Sequence, residues 1–328
     1  MSKYAYGLLE SIQFSKILAI SSIHRHEIKM RYVIVFCLAA VFSFILIPGQ
    51  ANEQKTQPKP EVLGLSTTIN ENLRPSPDYG NVTEFPPLTA RSVFAYDINS
   101  GAILYTSNFD EKLPIASVTK IMTALVVKDK LEMNKTVKVN RQDIKVIGSN
   151  MGLLPDEIIT VGNLVKGMLI SSSNDAAKVL AVAASGSEEK FVTEMNGKAK
   201  VLGMNSTKFS NSVGLDSNDN YSTTYDLAKL VNEFIKHKDL SEITRTQEAQ
   251  VTSVDQKIVH NLRTTNKLLL ENPNVMGIKT GFTSLAKGNL VIRYNHQGAD
   301  VITIVLGSDN REEDTRKLLE WITKVYKW

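Results

Sequence analysis

Three short polar motifs that lie far apart in the sequence constrain how this chain can fold. They are Ser117-Val118-Thr119-Lys120, Ser172-Ser173-Asn174 and Lys279-Thr280-Gly281, in that order. Together they contain a nucleophilic hydroxyl, a base, a proton relay and a cation that can hold an anion. A serine enzyme that works without histidine needs this set of groups. A fold that uses them must bring the hydroxyl and the two amines into one pocket.

Order and context select these copies of the motifs, because Lys-Thr-Gly occurs once but the other two patterns recur in the chain. Ser-x-x-Lys occurs three times, at Ser117, Ser187 and Ser284, and Ser-x-Asn occurs twice, at Ser172 and Ser308. Ser187 precedes two glutamates, which is typical of a capped helix start, and Ser284 falls in a predicted turn. The copy at Ser308 follows Lys-Thr-Gly instead of preceding it, and we interpret it as a strand-to-helix turn.

The charge distribution argues against nucleic acid as a partner. The 328 residues carry a formal charge of +4, but the first 51 contain five basic and two acidic residues. The rest of the chain is therefore nearly neutral, and it has no basic run that could neutralise phosphates. With 42% hydrophobic residues it can build one large domain, or two small ones, with a sizeable core.

Residues 1–51 are predicted to be a signal peptide or an N-terminal membrane anchor. The apolar run Val33–Ile47 follows basic residues and precedes small ones, the pattern of a secretory signal cleaved after Ala51. The run is short for a membrane span, so an uncleaved anchor is the alternative. Cys37, the single cysteine, lies within it. A mature domain would then have no cysteine, which excludes disulfides, thiol catalysis and cysteine–zinc sites.

A Pro-rich linker and one catalytic domain are predicted after the signal. Residues 52–87 contain six of the ten prolines and are expected to hold a domain at 88–328 away from a membrane. Hydrophobic patterning then predicts the hairpin strands Ser92–Ile98 and Ala102–Thr106, the helices Ile115–Leu131, Val161–Ile170, Asp175–Ala184, Glu188–Leu202 and Arg311–Tyr326, and the strands Val275–Thr283, Asn289–Tyr294 and Val301–Leu306. One sheet from both chain ends with a central helical block is an α+β arrangement.

Ser117 and Lys120 are the candidate nucleophile and base. They lie at positions i and i+3, so they share one face of a predicted helix. The strongly apolar stretch after Lys120 indicates burial, which disfavours the ammonium form, lowers the pKa of the lysine and makes a neutral general base available. The alternative is a helix-capping serine with a lysine that extends to solvent.

Ser172 and Asn174 are the candidate relay. They fall between two predicted helices, at a junction where a hydroxyl and an amide can point into a cleft. The alternative is ordinary capping of the helix that starts at Asp175.

Lys279 and Gly281 lie in a strand pattern and face the same side, because side chains alternate along a strand. A glycine there lets another backbone approach closely, which suits an edge strand that pairs with a peptide. Lys279 would also be a second cation near Lys120 and lower its pKa further. The alternative is a surface lysine that protects an edge strand from aggregation.

Other chemistries have little support in the sequence. There is no Gly-x-Ser-x-Gly elbow and no nucleotide-binding glycine pattern after a strand. Only His237, His260 and His296 follow the predicted signal, without metal-ligand spacing, and we expect surface or satisfied polar residues there. No metal and no cofactor is predicted.

The chain from about Leu88 onward resembles the D-alanyl-D-alanine carboxypeptidases, the serine-type low-molecular-mass penicillin-binding proteins of bacterial cell walls. The resemblance covers the three motifs and several connecting segments: Ile115 to Ala124, Ser172 to Ala177, Met195-Asn196, Leu202-Gly203-Met204, Gly214-Leu215-Asp216, Tyr225-Asp226-Leu227-Ala228, Gly277 to Gly281 and Asn289-Leu290-Val291. It implies a β-lactamase-like sandwich, with a five-stranded antiparallel sheet flanked by helices on both faces and an α-helical insert.

The resemblance also implies the catalytic roles. Ser117 would attack the carbonyl of the terminal D-Ala-D-Ala bond of a peptidoglycan pentapeptide and form an acyl-enzyme, while Lys120 takes its proton. Ser172 would pass a proton to the leaving D-alanine, supported by Asn174. Penicillin and other β-lactams would acylate Ser117 as inhibitors, because they mimic the acyl-D-Ala-D-Ala terminus.

Substrate-binding roles follow from the third motif and the closing helix. Lys279 would set the local field, and Thr280 would bind the terminal carboxylate with help from Arg311. The alternative for Arg311 is a surface arginine at a helix start. Backbone N–H groups of Ser117 and of Phe282, the residue after Gly281, would form the oxyanion hole.

The sequence also departs from the family pattern. Phe282 stands where many relatives have histidine after Lys-Thr-Gly, and Met276 replaces a frequent aspartate. The chain stops at Trp328 without the additional β domain of many relatives, so membrane attachment is expected only through the N-terminal segment. We therefore expect an extracytoplasmic protein, secreted or anchored to the cytoplasmic membrane.

Three other functions are compatible with parts of this pattern. A D,D-endopeptidase on the same scaffold is not separated by the motifs. A class A β-lactamase would need a Glu-x-x-x-Asn segment, and residues 175–278 have none. A catalytically silent wall-binding protein would not need to keep a buried lysine.

Overall fold

The structure is a computed structural model that describes residues 75–78, 80 and 84–328 of the chain. The predicted signal or anchor at 1–51 lies outside these residues, as does most of the predicted linker, so both boundaries stay predictions. No helix in the described part is long and apolar enough to cross a lipid bilayer.

Eight α-helices and thirteen strands form within the described residues. The helices are α1 (Lys120–Lys130), α2 (Val161–Ile170), α3 (Asn174–Ser185), α4 (Glu188–Val201), α5 (Thr224–Ile235), α6 (Lys238–Thr244), α7 (Lys267–Glu271) and α8 (Arg311–Val325). The strands are β1 (Ser76–Pro77), β2 (Ser92–Asp97), β3 (Ile103–Ser107), β4 (Leu113–Pro114), β5 (Thr136–Lys138), β6 (Ile158–Thr160), β7 (Tyr221–Ser222), β8 (Glu248–Thr252), β9 (Val259–Arg263), β10 (Val275–Thr283), β11 (Lys287–His296), β12 (Ala299–Ser308) and β13 (Tyr326–Lys327).

Five strands from opposite ends of the domain form one antiparallel sheet in the order β10-β11-β12-β2-β3. β12 joins the two groups, and its Ile304 pairs with Phe94 of β2. All ten residues of β12 are buried, because it lies inside the sheet and is covered on both faces. The predicted α+β fold with a five-stranded antiparallel sheet is confirmed. The strand that carries Lys-Thr-Gly, β10, lies at one edge of the sheet, as expected.

Alternate residues of β2 supply two separate cores. Phe94 and Tyr96 belong to the larger core, which lies between the sheet and the helical block. Val93 and Ala95 face the other way and pack with Leu318 of α8. α1 runs through the larger core with eight consecutive buried residues, which explains why its sequence is apolar almost all round.

The sequence did not predict α5, α6, α7 or the β8–β9 hairpin. α6 has seven residues and α7 has five, too few for a helical period to stand out. α5 did carry a signal: its Thr223 cap accepts a hydrogen bond from the Asp226 N–H, and Leu227, Leu230, Val231 and Phe234 are buried at helical spacing. Short length explains why α6 and α7 were not predicted, but it does not explain why α5 was not.

Part of the predicted linker contacts the domain. β1 pairs with β13 at the end of α8, and Phe85 stacks on Tyr105 with ring centroids 3.8 Å apart. The proline content that favours a linker is also compatible with a short edge strand. Proline lacks a backbone N–H, and an edge strand tolerates this because one of its sides makes no hydrogen bonds to a neighbouring strand. The described residues before 88 therefore extend the second core instead of standing clear of it.

Candidate active site

Ser117 and Lys120 lie where the chain tightens before α1 begins. Ala116 has a positive φ of 47°, and the 3-10 turn Ala116–Thr119 leads directly into Lys120. Side chains at i and i+3 eclipse in such a turn. The Lys120 Nζ lies 2.9 Å from Ser117 Oγ, within hydrogen-bond distance. The expectation of a helix that runs unbroken from Ile115 is wrong in its first turn, and that departure sets up the contact.

The Lys120 amine is enclosed by neutral acceptors. Its side chain is fully buried, and Nζ donates to Asn174 Oδ1 at 2.7 Å and to the Val213 carbonyl at 2.6 Å. Burial, followed by the charge of Lys279, holds the pKa of Lys120 well below its usual range, and the charge of Asp175 opposes them. A neutral amine within hydrogen-bond reach of a hydroxyl is what a general base requires.

The Val213 carbonyl comes from a tight turn that packs against the nucleophile. Asn211 Oδ1 accepts from the N–H groups of Val213, Gly214 and Leu215 at 3.3, 2.6 and 3.0 Å. Gly214 has a φ of 90°, and a Cβ at this position would lie 2.0 Å from the Ala116 carbonyl oxygen. Only glycine fits between the two turns.

The second motif joins the first and the third. Ser172 has a φ of 61°, a left-handed conformation that is rare for serine, and its Oγ accepts a 2.8 Å hydrogen bond from Lys279 Nζ. Asn174 is the first residue of α3, and its carboxamide spans two partners: Oδ1 accepts from Lys120 and Nδ2 donates to the Ile147 carbonyl at 2.6 Å. These bonds run to other elements, so ordinary capping of α3 does not account for either side chain.

Lys279 is buried although it lies on an edge strand. It is 2% exposed, and its Nζ also donates to the Thr280 carbonyl at 3.0 Å. Burial, followed by the charge of Arg311, lowers the pKa of Lys279 from 10.5 to about 7. The alternative of a surface lysine that guards the edge is therefore wrong, and this amine titrates near neutral pH.

Gly281 brings the edge of β10 against the nucleophile's turn. A Cβ at Gly281 would lie 3.0 Å from the Ile115 carbonyl oxygen and 3.2 Å from the Ser117 nitrogen. The predicted close approach of another backbone is thus made by the turn that carries the nucleophile. This contact joins the first and third motifs, the Lys120–Asn174 hydrogen bond joins the first and second, and the Lys279–Ser172 hydrogen bond joins the second and third.

Thr280 and Phe282, which follow Lys279 on β10, differ in exposure. Thr280 is buried, with its Oγ1 2.5 Å from Thr265 Oγ1. Phe282 is 69% exposed and lines the open side of the strand. The side chain of Phe282 is therefore accessible to a ligand that lies along β10.

Arg311 lies at the start of α8 and reaches back to the third motif. Its Nη1 donates to the Gly281 carbonyl at 2.7 Å, and its Nε donates to Glu312 at 2.9 Å. A Cβ at Gly288 would lie 3.1 Å from the Arg311 Cβ, so β11 has a glycine where this side chain passes. Arg311 is therefore held beside β10 and is not a freely extending surface residue.

The other copies of the motifs have structural roles, as predicted. Ser187 caps α4 through the Lys190 N–H at 3.3 Å, and Ser284 lies in the turn after β10. Asn310, from the second Ser-x-Asn, caps α8. His260 is buried and satisfied, with Nε2 2.7 Å from Glu157 Oε1.

Sequence reasoning missed several groups that shape the site. The Val213 carbonyl is a backbone atom, so no residue type marks it, and Thr265 lies in a segment without a pattern. Asn211 did carry a signal, because asparagine is common in turns, where its side chain bonds to the backbone two residues later. Asp175 was interpreted only as the first residue of a helix.

Comparison with known proteins places the chain among D-alanyl-D-alanine peptidases. Residues 80–310 match the family model described as D-alanyl-D-alanine carboxypeptidase. The D-alanyl-D-alanine carboxypeptidase DacF of Bacillus subtilis is 35% identical over 72% of this chain and 63% of its own length. The D-alanyl-D-alanine endopeptidase of Escherichia coli is 33% identical over 72% of this chain and 78% of its own length.

The solved structures agree on the fold. The DD-transpeptidase of Streptomyces K15 superposes with a TM-score of 0.70 at 28% sequence identity, over 74% of this chain and 100% of that one. The match to DacF covers less than two thirds of that relative.

Proposed function

The chain belongs to the D-alanyl-D-alanine carboxypeptidase family, and we propose that it is a serine D,D-carboxypeptidase that removes the terminal D-alanine from peptidoglycan stem peptides. The observation that carries the proposal is the buried Lys120 amine, which lies 2.9 Å from the Ser117 hydroxyl and whose pKa is lowered by burial. The second amine, on Lys279, supports it by linking the third motif to Ser172.

Acylation would begin at Ser117. Its Oγ attacks the carbonyl carbon of the D-Ala–D-Ala bond while Lys120 Nζ accepts the hydroxyl proton. The carbon–nitrogen bond then breaks, and the proton held by Lys120 passes through the Ser172 hydroxyl to the leaving amine of D-alanine, which leaves both Lys120 and Ser172 neutral. Ser172 is suited to this step because Lys279 Nζ donates to its oxygen, which makes the hydroxyl proton easier to release. Water later hydrolyses the acyl-enzyme, and Asn174 keeps the Lys120 amine aligned in both steps.

The negative charges of the reaction would be held by β10 and the nucleophile's turn. The N–H groups of Ser117 and Phe282 form the oxyanion hole, and loss of one such donor typically costs about 10²–10³ in rate. Thr280 and Lys279 bind the terminal carboxylate, which raises the pKa of the lysine and keeps it charged in the complex. Arg311 adds positive charge beside them. β-Lactams would acylate the same serine.

A D,D-endopeptidase is the second candidate, because a relative with that name is 33% identical and this chain covers 78% of it. The two activities differ only in whether the scissile bond lies at a free peptide end or in a cross-link. A β-lactamase is a weaker third candidate, as no Glu-x-x-x-Asn segment follows the second motif.

Mass spectrometry of muropeptides after incubation with the purified protein tests the proposal. Pentapeptides should lose one D-alanine while cross-linked dimers persist, and Ser117→Ala should abolish the loss. Ser187→Ala is the matched control, since Ser187 has the same Ser-x-x-Lys spacing at a helix cap. Loss of dimers instead would establish the endopeptidase, and no product from the wild-type protein would reject both.

We also propose an extracytoplasmic location, with the protein secreted or held at the cytoplasmic membrane by its N-terminal segment. The support is the basic, apolar and small-residue pattern that ends at Ala51, together with a substrate that belongs to the cell wall. N-terminal sequencing of the protein isolated from cells checks this. A first residue of Asn52 fits a cleaved signal, Met1 in the membrane fraction fits an anchor, and Met1 in the cytosol contradicts the proposal.

A further inference from the structure

Asp175 is a buried carboxylate beside the site that the proposed chemistry does not use. It follows Asn174 at the start of α3 and is 2% exposed. An acidic residue in the first turn of a helix needs no burial to stabilise the helix dipole. Removing a carboxylate from water is costly unless its oxygens find donors, so the contacts of Asp175 indicate what its burial achieves.

The hydrogen-bond donors to Asp175 come mainly from residues 147–153, which we call the 147–153 loop. The Asp175 Oδ1 accepts from the Met151 N–H at 3.1 Å, and the Asp175 Oδ2 accepts from the N–H groups of Gly152 at 3.1 Å and Leu153 at 3.2 Å. Only one further donor, the Ala176 N–H at 2.8 Å, belongs to α3 itself. Three consecutive peptide groups of the loop are therefore oriented by one carboxylate.

The same loop holds Asn174 in place. The Ile147 carbonyl accepts from Asn174 Nδ2 at 2.6 Å, and the Ser149 carbonyl accepts from the Asn174 N–H at 2.6 Å. Gly148 has a φ of 95°, and a Cβ there would lie 2.7 Å from Asn174 Nδ2. Because Nδ2 is fixed by the loop, Oδ1 must face Lys120. The loop thereby decides which end of the carboxamide meets the base.

We propose that Asp175 is a positioning residue for the general base: it anchors the 147–153 loop, which orients Asn174, which in turn aligns the Lys120 amine toward Ser117. The inference rests on the proposed function. Asp175 touches no reacting atom, and it acts on Lys120 through three successive hydrogen-bonded links.

A second effect of Asp175 is electrostatic. Its negative charge raises the pKa of Lys120, opposing burial and the charge of Lys279. Two other titratable side chains lie near the loop: His260 Nδ1 is 3.1 Å from the Met151 carbonyl oxygen, and His260 Nε2 is 2.7 Å from Glu157 Oε1. Removing the charge of Asp175 alone should therefore make the neutral form of Lys120 more favourable, independently of any loss of alignment.

The test measures the rate constant for acylation by a fluorescent penicillin as a function of pH, in the wild type and in Asp175→Asn. The amide nitrogen of asparagine cannot accept from the loop N–H groups, so we expect the plateau rate to fall by about 10²-fold, the size of effect that a small misplacement of a catalytic group can have. The acid limb of the profile should move to lower pH. A role in stability alone would lower the melting temperature and leave the profile where it was.

Asp97→Asn is the matched control. Asp97 is equally buried and lies where β2 enters the turn to β3. Its carboxylate accepts hydrogen bonds from neutral groups, the backbone N–H and hydroxyl of Ser100 and the indole N–H of Trp328. We expect it to lose stability but to keep the wild-type rate and pH profile. If Asp175→Asn and Asp97→Asn behave alike, or if Asp175→Asn keeps the wild-type rate and acid limb, the proposal is wrong.

Gly152→Ala keeps the proposal testable should Asp175→Asn fail to fold. Gly152 is exposed, has a φ of 85° and has open space at its Cβ position, so alanine strains the loop without a clash. Gly186→Ala, at a φ of 81° and also in open space, imposes the same strain after α3. Slower acylation in Gly152→Ala alone supports the proposal, and equal rates in both overturn it. A wild-type protein that penicillin does not acylate would instead refute the proposed function.

Discussion

Lys120→Ala should take up penicillin at a rate about 10²–10⁴-fold below that of the wild type, the range that a general base contributes. Alanine leaves the Ser117 hydroxyl without a group to accept its proton. Labelling of the purified variant with a fluorescent penicillin, followed over time, measures the effect. The loss should not reflect unfolding, because the substitution also removes an amine whose burial is unfavourable.

Lys190→Ala is the control for this experiment. Lys190 is exposed and lies three residues after Ser187, in the same Ser-x-x-Lys spacing. It should label at the wild-type rate, since its backbone N–H, and not its amine, contacts Ser187. Normal labelling of Lys120→Ala, with a melting temperature near that of the wild type, would refute the assignment of the base.

The stability of the protein should rise as the pH increases from about 7 toward 10, and Lys279→Met should lose part of that rise. The pKa of Lys279 is about 7 in the folded protein against 10.5 as its ordinary value. Between these values the unfolded chain binds one more proton than the folded one, so raising the pH favours folding. Between these pKa values, Lys279 raises the free energy of unfolding by roughly 1.4 kcal/mol per pH unit. Below about pH 7 its contribution no longer changes with pH, because the amine is charged in both the folded and the unfolded state.

Urea unfolding at several pH values between 6 and 9.5, compared between wild type and variant, isolates this contribution. Groups that Lys279 does not influence cancel in the difference, because both proteins share them; Lys120, whose pKa the charge of Lys279 lowers, is the exception. Lys190→Met serves as the control, since an exposed lysine stays in water in both states and should leave the slope unchanged. Parallel stability curves for the wild type and Lys279→Met would mean that Lys279 is not buried as an amine in the folded protein.

The sequence predicted most of the sheet and the long helices because these elements carry a strong hydrophobic period. β10 was predicted with the bounds that it has, and α2 likewise. The edge position of β10 also followed from sequence, since a glycine beside a lysine in a strand pattern suits a strand with one free side. Order of the motifs selected the right Ser-x-x-Lys and Ser-x-Asn copies from the several present.

What the sequence did not predict depends on backbone geometry and on contacts between distant segments. The 3-10 turn before α1 follows from the positive φ of Ala116, which alanine rarely adopts and which no local pattern signals. The Val213 carbonyl reaches Lys120 only because Gly214 lets two turns meet. The burial of Asp175 depends on a loop more than twenty residues earlier in the chain, so a helix-start interpretation was all that local sequence supported.

The position of the covalent adduct after reaction with penicillin tests most directly whether the three motifs form one catalytic pocket. Proteolysis and mass spectrometry of the labelled wild-type protein locate the adduct. We predict a single adduct on Ser117, which is absent in Ser117→Ala and forms about 10²–10⁴-fold more slowly in Lys120→Ala. An adduct on Ser172, Ser187 or Ser284, or a fully folded wild-type protein that forms none, would contradict this prediction.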